Sequence, residues 1–86
     1  MLQVRVHAPG DVRLDEVEPP QPGPRDAVVR VAACGICGTD LAFIRLGGRT
    51  GPGGAPLCLG HEMAGVVEWV GSEVRDNRVG DRVVVH

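Results

Sequence analysis

Apolar residues recur at every second position through most of this chain, and only Thr39 to Leu46 breaks that period. A period of two is the pattern of a strand with one face packed and one face wet, so the chain is read as mainly β with one short helix. Leu2, Val4 and Val6 alternate with polar residues as a first strand, and Ala8-Pro9-Gly10-Asp11 reads as a turn into a second over Val12–Val17. Further strands are expected at Ala27–Ala33, where Val29 and Val31 flank Arg30, at Ala64–Val70, and at Arg82–Val85. The first, third, Val67-centred and final strands are expected to build one curved sheet system. Between Cys37 and Leu46 the residues Leu41, Ile44 and Arg45 fall at helical spacing behind Thr39 and Asp40, which suit a helix start, so one or two turns are expected there.

The thirteen glycines and seven prolines punctuate these runs rather than forming one tract, as expected of a loop-rich β domain. Glu18-Pro-Pro-Gln-Pro-Gly-Pro24 cannot enter a sheet interior, because proline donates no backbone hydrogen bond, and it reads as a stiff extended crossing. Gly47–Pro56, with five glycines and two prolines, reads as an irregular surface loop. It contains neither G-x-G-x-x-G nor G-x-x-x-x-G-K-[ST], so it is no phosphate loop.

Eighty-six residues fit one small domain and bury only about two-thirds of the unfolded surface. A net charge of -2, with both signs well mixed, argues against a nucleic-acid or membrane surface. All nine basic residues are arginine, which is read as coding bias. There is no apolar run long enough to cross a membrane, and no basic-then-apolar leader. Three cysteines, an odd number without an export signal, point to reduced thiols and a cytoplasmic location. The final valine strand stops at His86 without a cap or polar tail, so the chain is expected to be part of a longer architecture. An uncovered edge of Val83, Val84 and Val85 is expected to favour self-association, as a homo-oligomer, or docking onto a separately encoded remainder.

Two segments carry chemistry: Cys34-Gly-Ile-Cys37-Gly-Thr39-Asp40 and Gly60-His61-Glu62. Zinc prefers thiolate and imidazole, and a catalytic site uses three protein ligands with one position open. One cysteine of the first segment and His61 would supply two ligands. Glu62 would supply an oxygen ligand or a contact behind the ligands, and Asp40 could accept from the far ring nitrogen of His61, fixing its tautomer. Alone, C-x-x-C is equally a redox pair, half a zinc knuckle, or two buried thiols. A knuckle needs a second such pair, which is absent, and a redox pair usually opens a helix in a βαβ unit, which the pattern does not show.

Together, G-I-C-x-[ST]-D and G-H-E-x-x-G-x5-[GA] resemble the zinc-dependent medium-chain alcohol and polyol dehydrogenases. The resemblance spans nearly the whole chain, including Pro22-Gly-Pro24 and Val79-Gly-Asp-Arg-Val83. It implies the amino-terminal portion (1–86) of a GroES-like domain: a twisted, partly open β barrel with one short helix and no Rossmann domain. It implies Cys37 and His61 as zinc ligands, Thr39 as the hydroxyl that passes on the substrate's proton, and Asp40 as the carboxylate beside the zinc histidine. Glu62 matches a glutamate behind the ligands that becomes a ligand in polyol dehydrogenases. Cys34 matches no ligand and is assigned to packing; Cys58, between Leu57 and Leu59, is expected to be buried. The implied reaction is hydride transfer from a zinc-bound alkoxide of a small alcohol or polyol to NAD or NADP, needing the nucleotide-binding domain that this chain lacks. Many members carry a relay histidine five residues after the first ligand; here that position is Ala42. The third ligand and any structural-zinc cysteines would lie beyond 86. The alternatives are a zinc-free reductase of the same superfamily and a non-catalytic metal-binding or interaction module.

Overall fold

The computed structural model describes residues 1–47 and 54–85. Among them are six strands and one helix: β1 (Leu2–Ala8), β2 (Asp11–Glu16), β3 (Ala27–Cys34), α1 (Gly38–Leu46), β4 (Leu57–Cys58), β5 (Met63–Val70) and β6 (Arg82–Val85). The chain folds as two compact units, Met1–Pro19 with Ile36–Gly60 and Pro20–Gly35 with His61–His86. The expected mainly-β fold with one short helix is what forms, and its sheets are not closed. Most of the expected Gly47–Pro56 loop lies outside the described residues.

In the first unit β1 is the central strand of a sheet ordered β2-β1-β4. Gly10, at φ +73°, supplies the left-handed residue that turns β1 back into β2, and a bulge between Val6 and Ala8 absorbs the tight connection. Directly opposed residues share a face, so Val4 against Leu14 and Val6 against Val12 set one apolar side. Val6 is fully buried. Helix α1 joins this sheet through the Gly10 N–H, which donates to Ile44 O at 2.8 Å. The helix ends at Gly47, φ +76°, whose N–H donates to Phe43 O at 2.9 Å. A side chain on Gly47 would place its Cβ 2.5 Å from Pro9 N, so no other residue fits that stop.

The other face of the hairpin is polar. Asp15 Oδ2 accepts from Arg5 Nε at 2.8 Å and meets His7 Nε2 at 2.6 Å, all three being partly buried. These two contacts, His7 first, hold the Asp15 carboxyl below its ordinary 3.8. A lowered carboxyl stabilises the fold above the unfolded value and loses that contribution as pH falls through the folded one. The melting temperature should therefore fall as pH drops below about 3.8, and Asp15→Asn should flatten that fall. Equal acid sensitivity of the variant and the parent in thermal melts at pH 5 and pH 2.5 would refute this assignment.

In the second unit the order is β3-β5-β6, antiparallel throughout. The ladder between β3 and β5 shifts register twice, with Glu68 the extra residue on β5 opposite Val28 and Val29, and Ala32 the extra residue on β3 between Val31 and Ala33. Val67 is 2% exposed, and its N–H donates to Asp81 O at 2.9 Å while its carbonyl accepts from Gly80 N–H at 2.8 Å. The turn before β6 closes on Asp81, whose Oδ2 accepts from Arg78 N–H at 2.9 Å. Beyond β5, Gly71 N–H donates to Asp26 O and Glu73 N–H to Pro24 O, both at 2.8 Å, tying the end of the proline-rich crossing to this turn.

Four expectations need correction. The strands form two three-stranded ladders rather than one sheet system, because both sides of β1 are taken, by β2 and by β4. Strand β4 is two residues long, too short to show a period. Cys58 pairs across from Arg5 and Cys34 ends β3, and both are exposed, so neither apolar neighbours nor a non-ligand position buried them. At β6, Val84 is 75% exposed and Val85 is also exposed, as expected of an edge, whereas Val83 is half-buried. Among the described residues no helix is long and apolar enough to cross a membrane.

Candidate functional site

Cys37 is the N-cap of α1, with an extended backbone at φ -120° and ψ 170°. Its carbonyl accepts from the Asp40 N–H at 3.0 Å, while the Asp40 Oδ2 accepts from the Cys37 N–H at 3.1 Å. The sulfur faces the same Asp40 N–H, so Cys37 and Asp40 form a capping box in which cysteine replaces the usual serine or threonine. Asp40 is 5% exposed and Cys37 half-buried, whereas Thr39, in the first helical turn, is exposed. The helix begins at Gly38, directly after Cys37 as expected and one residue before the Thr39–Asp40 pair. Cysteine is an uncommon N-cap, and the acidic residue three positions later is the local signal that marks it.

In the second unit His61 and Glu62 immediately precede β5, and both are exposed. Gly60, the residue before His61, has φ +100°, a conformation that favours glycine. The Glu62 carbonyl accepts from the Gly35 N–H at 2.7 Å. A Cβ on Gly35 would lie 3.6 Å from Glu62 Oε2, so the glutamate side chain runs over this glycine. Gly35 was not singled out in the sequence, although its place between Cys34 and Cys37 marks where β3 leaves its sheet. The Cys34 Sγ turns to its neighbour's carbonyl, Gly35 O, at 3.6 Å. None of Cys34, Cys37 and Cys58 forms a disulfide.

Each unit thus anchors part of the expected donor set on backbone hydrogen bonds. The first holds Cys37 with Asp40, beside Thr39, and the second holds His61 with Glu62. Thiolate, imidazole and carboxylate are all zinc donors, and three such groups leave the fourth tetrahedral position for a substrate oxygen. Ala42, five residues after Cys37, is half-buried in α1 and carries no titratable group.

Comparison with known proteins places this arrangement in context. The family model described as alcohol dehydrogenase GroES-like domain matches residues 23–86. Human sorbitol dehydrogenase is 43% identical over 86 residues, which is 98% of this chain and 24% of that protein. The solved structure of alcohol dehydrogenase TADH from Thermus sp. ATN1 superposes with a TM-score of 0.80 at 40% identity, covering 98% of this chain and 24% of that one. Escherichia coli quinone oxidoreductase complexed with NADPH superposes with a TM-score of 0.78 at 34% identity, covering 98% and 26%. The chain therefore spans about a quarter of the length of the relatives it matches.

Proposed function

Because the chain belongs to the alcohol dehydrogenase GroES-like domain family, we propose that it carries the zinc-holding part of an NAD(P)-dependent alcohol or polyol dehydrogenase, residues 1–86 being the amino-terminal portion of that domain. Cys37 and His61 are the ligands of this reading, and Glu62 is either a third ligand or the carboxylate behind them. The observation that carries it is the Gly35–Glu62 backbone bond at 2.7 Å. Cys37 follows Gly35 by two residues, and two residues of chain reach at most about 7 Å. The bond therefore ties the chain entering the Cys37 segment, at Gly35, to the strand end that carries Glu62.

Zinc bound there would polarise a substrate oxygen and lower the pKa of its hydroxyl. Thr39, exposed one residue before Asp40, offers its Oγ1 to the substrate's hydroxyl proton. With Ala42 in place of a relay histidine, the proton passes from Thr39 to solvent rather than along α1. Polyols are the favoured substrates of this reading: the 43% identity is to a sorbitol dehydrogenase, and the resemblance matches Glu62 to a glutamate that becomes a ligand in polyol dehydrogenases. The cofactor would be held by a nucleotide-binding region outside these residues, since no glycine-rich strand-to-helix turn is present in the sequence.

The test is an assay of the chain with zinc, NAD and NADP over a panel of alcohols and polyols, with and without a supplied nucleotide-binding partner. No turnover is expected from the chain alone, because hydride transfer needs the nicotinamide held against the substrate carbon. Turnover is expected with the partner, lost in His61→Ala. The likeness to a quinone oxidoreductase favours one competing reading, a zinc-free reductase. Partnered activity that survives both Cys37→Ser and chelation would establish that reading instead.

A further inference from the structure

We infer that Asp40 is a positioning residue for Cys37, and that it acts as an uncharged acceptor would, by capping the cysteine's own backbone. This rests on the zinc-site reading above and names a role for Asp40 distinct from an electrostatic one on His61. The carboxylate lies three residues beyond Cys37, is 5% exposed, and accepts the Cys37 N–H at 3.1 Å. A second bond ties the same pair, Asp40 N–H to Cys37 O at 3.0 Å. Together they close a ring across the residue whose Sγ is the proposed ligand, fixing its φ and ψ and hence the direction of its Cα–Cβ bond. On the other side, Gly35 is held by Glu62. Only Gly35 and Ile36 separate Cys34 from Cys37, so without the Asp40 cap the cysteine would sit on a frayed helix end and its sulfur would sample several directions. A first ligand that must be ordered at the moment of binding binds more weakly than one already in place.

The two roles separate by substitution. Asp40→Asn keeps an oxygen acceptor of the same reach and removes the charge, whereas Asp40→Ala removes both. Hydrogen exchange at the Cys37 amide in the metal-free chain, followed by nuclear magnetic resonance, reads the cap directly. Titration with cobalt(II), whose thiolate charge-transfer band reports ligation by Cys37, reads its consequence. Asp40→Ala is expected to speed that exchange about tenfold and to weaken cobalt binding about tenfold or more. Asp40→Asn is expected to stay within about threefold of the parent in both, because a neutral acceptor still satisfies the cap. Two results overturn the inference: unchanged exchange in Asp40→Ala, or cobalt binding in Asp40→Asn as weak as in Asp40→Ala, which would make the charge the essential property. A parent chain with no thiolate band overturns the zinc-site reading and the metal half of this inference with it, and the exchange arm then decides the cap alone.

Discussion

Cys37→Ser and His61→Ala are each expected to remove stoichiometric zinc from this chain, while Cys34→Ser leaves it in place. Structural zinc sites with four ligands bind with about 10–16 kcal/mol, so one ligand corresponds to about 2.5–4 kcal/mol. At about 1.4 kcal/mol per factor of ten, losing one ligand weakens binding by roughly two to three powers of ten. A site with only two or three protein ligands has no such margin and falls below stoichiometric occupancy. The conservative change at Cys37 is decisive, because serine keeps the size and the helix-cap capacity and loses only the thiolate. Cys34 is exposed at the end of β3 with its sulfur turned to Gly35 O, and serine there can make the same contact. Metal content after dialysis, with competition against a chromophoric chelator, measures all three. Zinc lost from the Cys34 variant and kept by the Cys37 variant would reverse the assignment.

The second large effect is structural. Gly71→Ala should destabilise the chain by roughly 3 kcal/mol, the upper end of what an overpacked site costs. Gly71 is buried, and a Cβ there would press into the backbone carbonyl of Pro24 and sit 2.7 Å from Gly23 O. Neither partner is the end of a flexible side chain, and both belong to the crossing held by Gly71 N–H to Asp26 O and Glu73 N–H to Pro24 O. Making room for the methyl group therefore breaks those bonds as well. For a chain of this length about 1 kcal/mol moves the melting temperature by 4–8 °C, so a drop of about 12–24 °C is expected. Gly65→Ala should behave similarly, its Cβ meeting the Arg30 backbone and lying 2.9 Å from Val29 Cγ1. Gly38→Ala is the control: nothing lies within 4 Å of a Cβ there, and alanine improves the helix by up to about 1 kcal/mol. A Gly71 variant that melts with the control would show that β5 and the crossing are looser than the backbone bonds imply.

Local periodicity by itself determined much of this protein. The alternation of Leu2, Val4 and Val6 located β1, and the break in period located α1 to within a residue or two of Gly38–Leu46. The prolines of 18–24 kept that segment out of both sheets, because a missing N–H is a local fact needing no partner. The donor types were equally legible, since thiol, imidazole and carboxylate are recognisable as candidate zinc donors from residue type alone. Tertiary structure decided the rest. A period of two says which residues share a face but not what covers it, so Val6 is buried while Leu14, two positions from Val6's partner Val12, is 64% exposed. It cannot show a two-residue strand such as β4, whose existence depends on Arg5 and Val6 lying opposite Cys58 and Leu57 some fifty positions away. Nor can it tell a glycine needed for its φ, as at Gly10, from one such as Gly71 where another chain segment passes too close for a methyl group. The helix cap at Cys37 falls between these cases: its acceptor is three residues away in the sequence, yet only the folded backbone turns that carboxylate onto the amide. Patterns within one segment follow from the geometry of one segment, whereas pairing, coverage and close approach are properties of two segments that the order of residues does not bring together until the chain has folded.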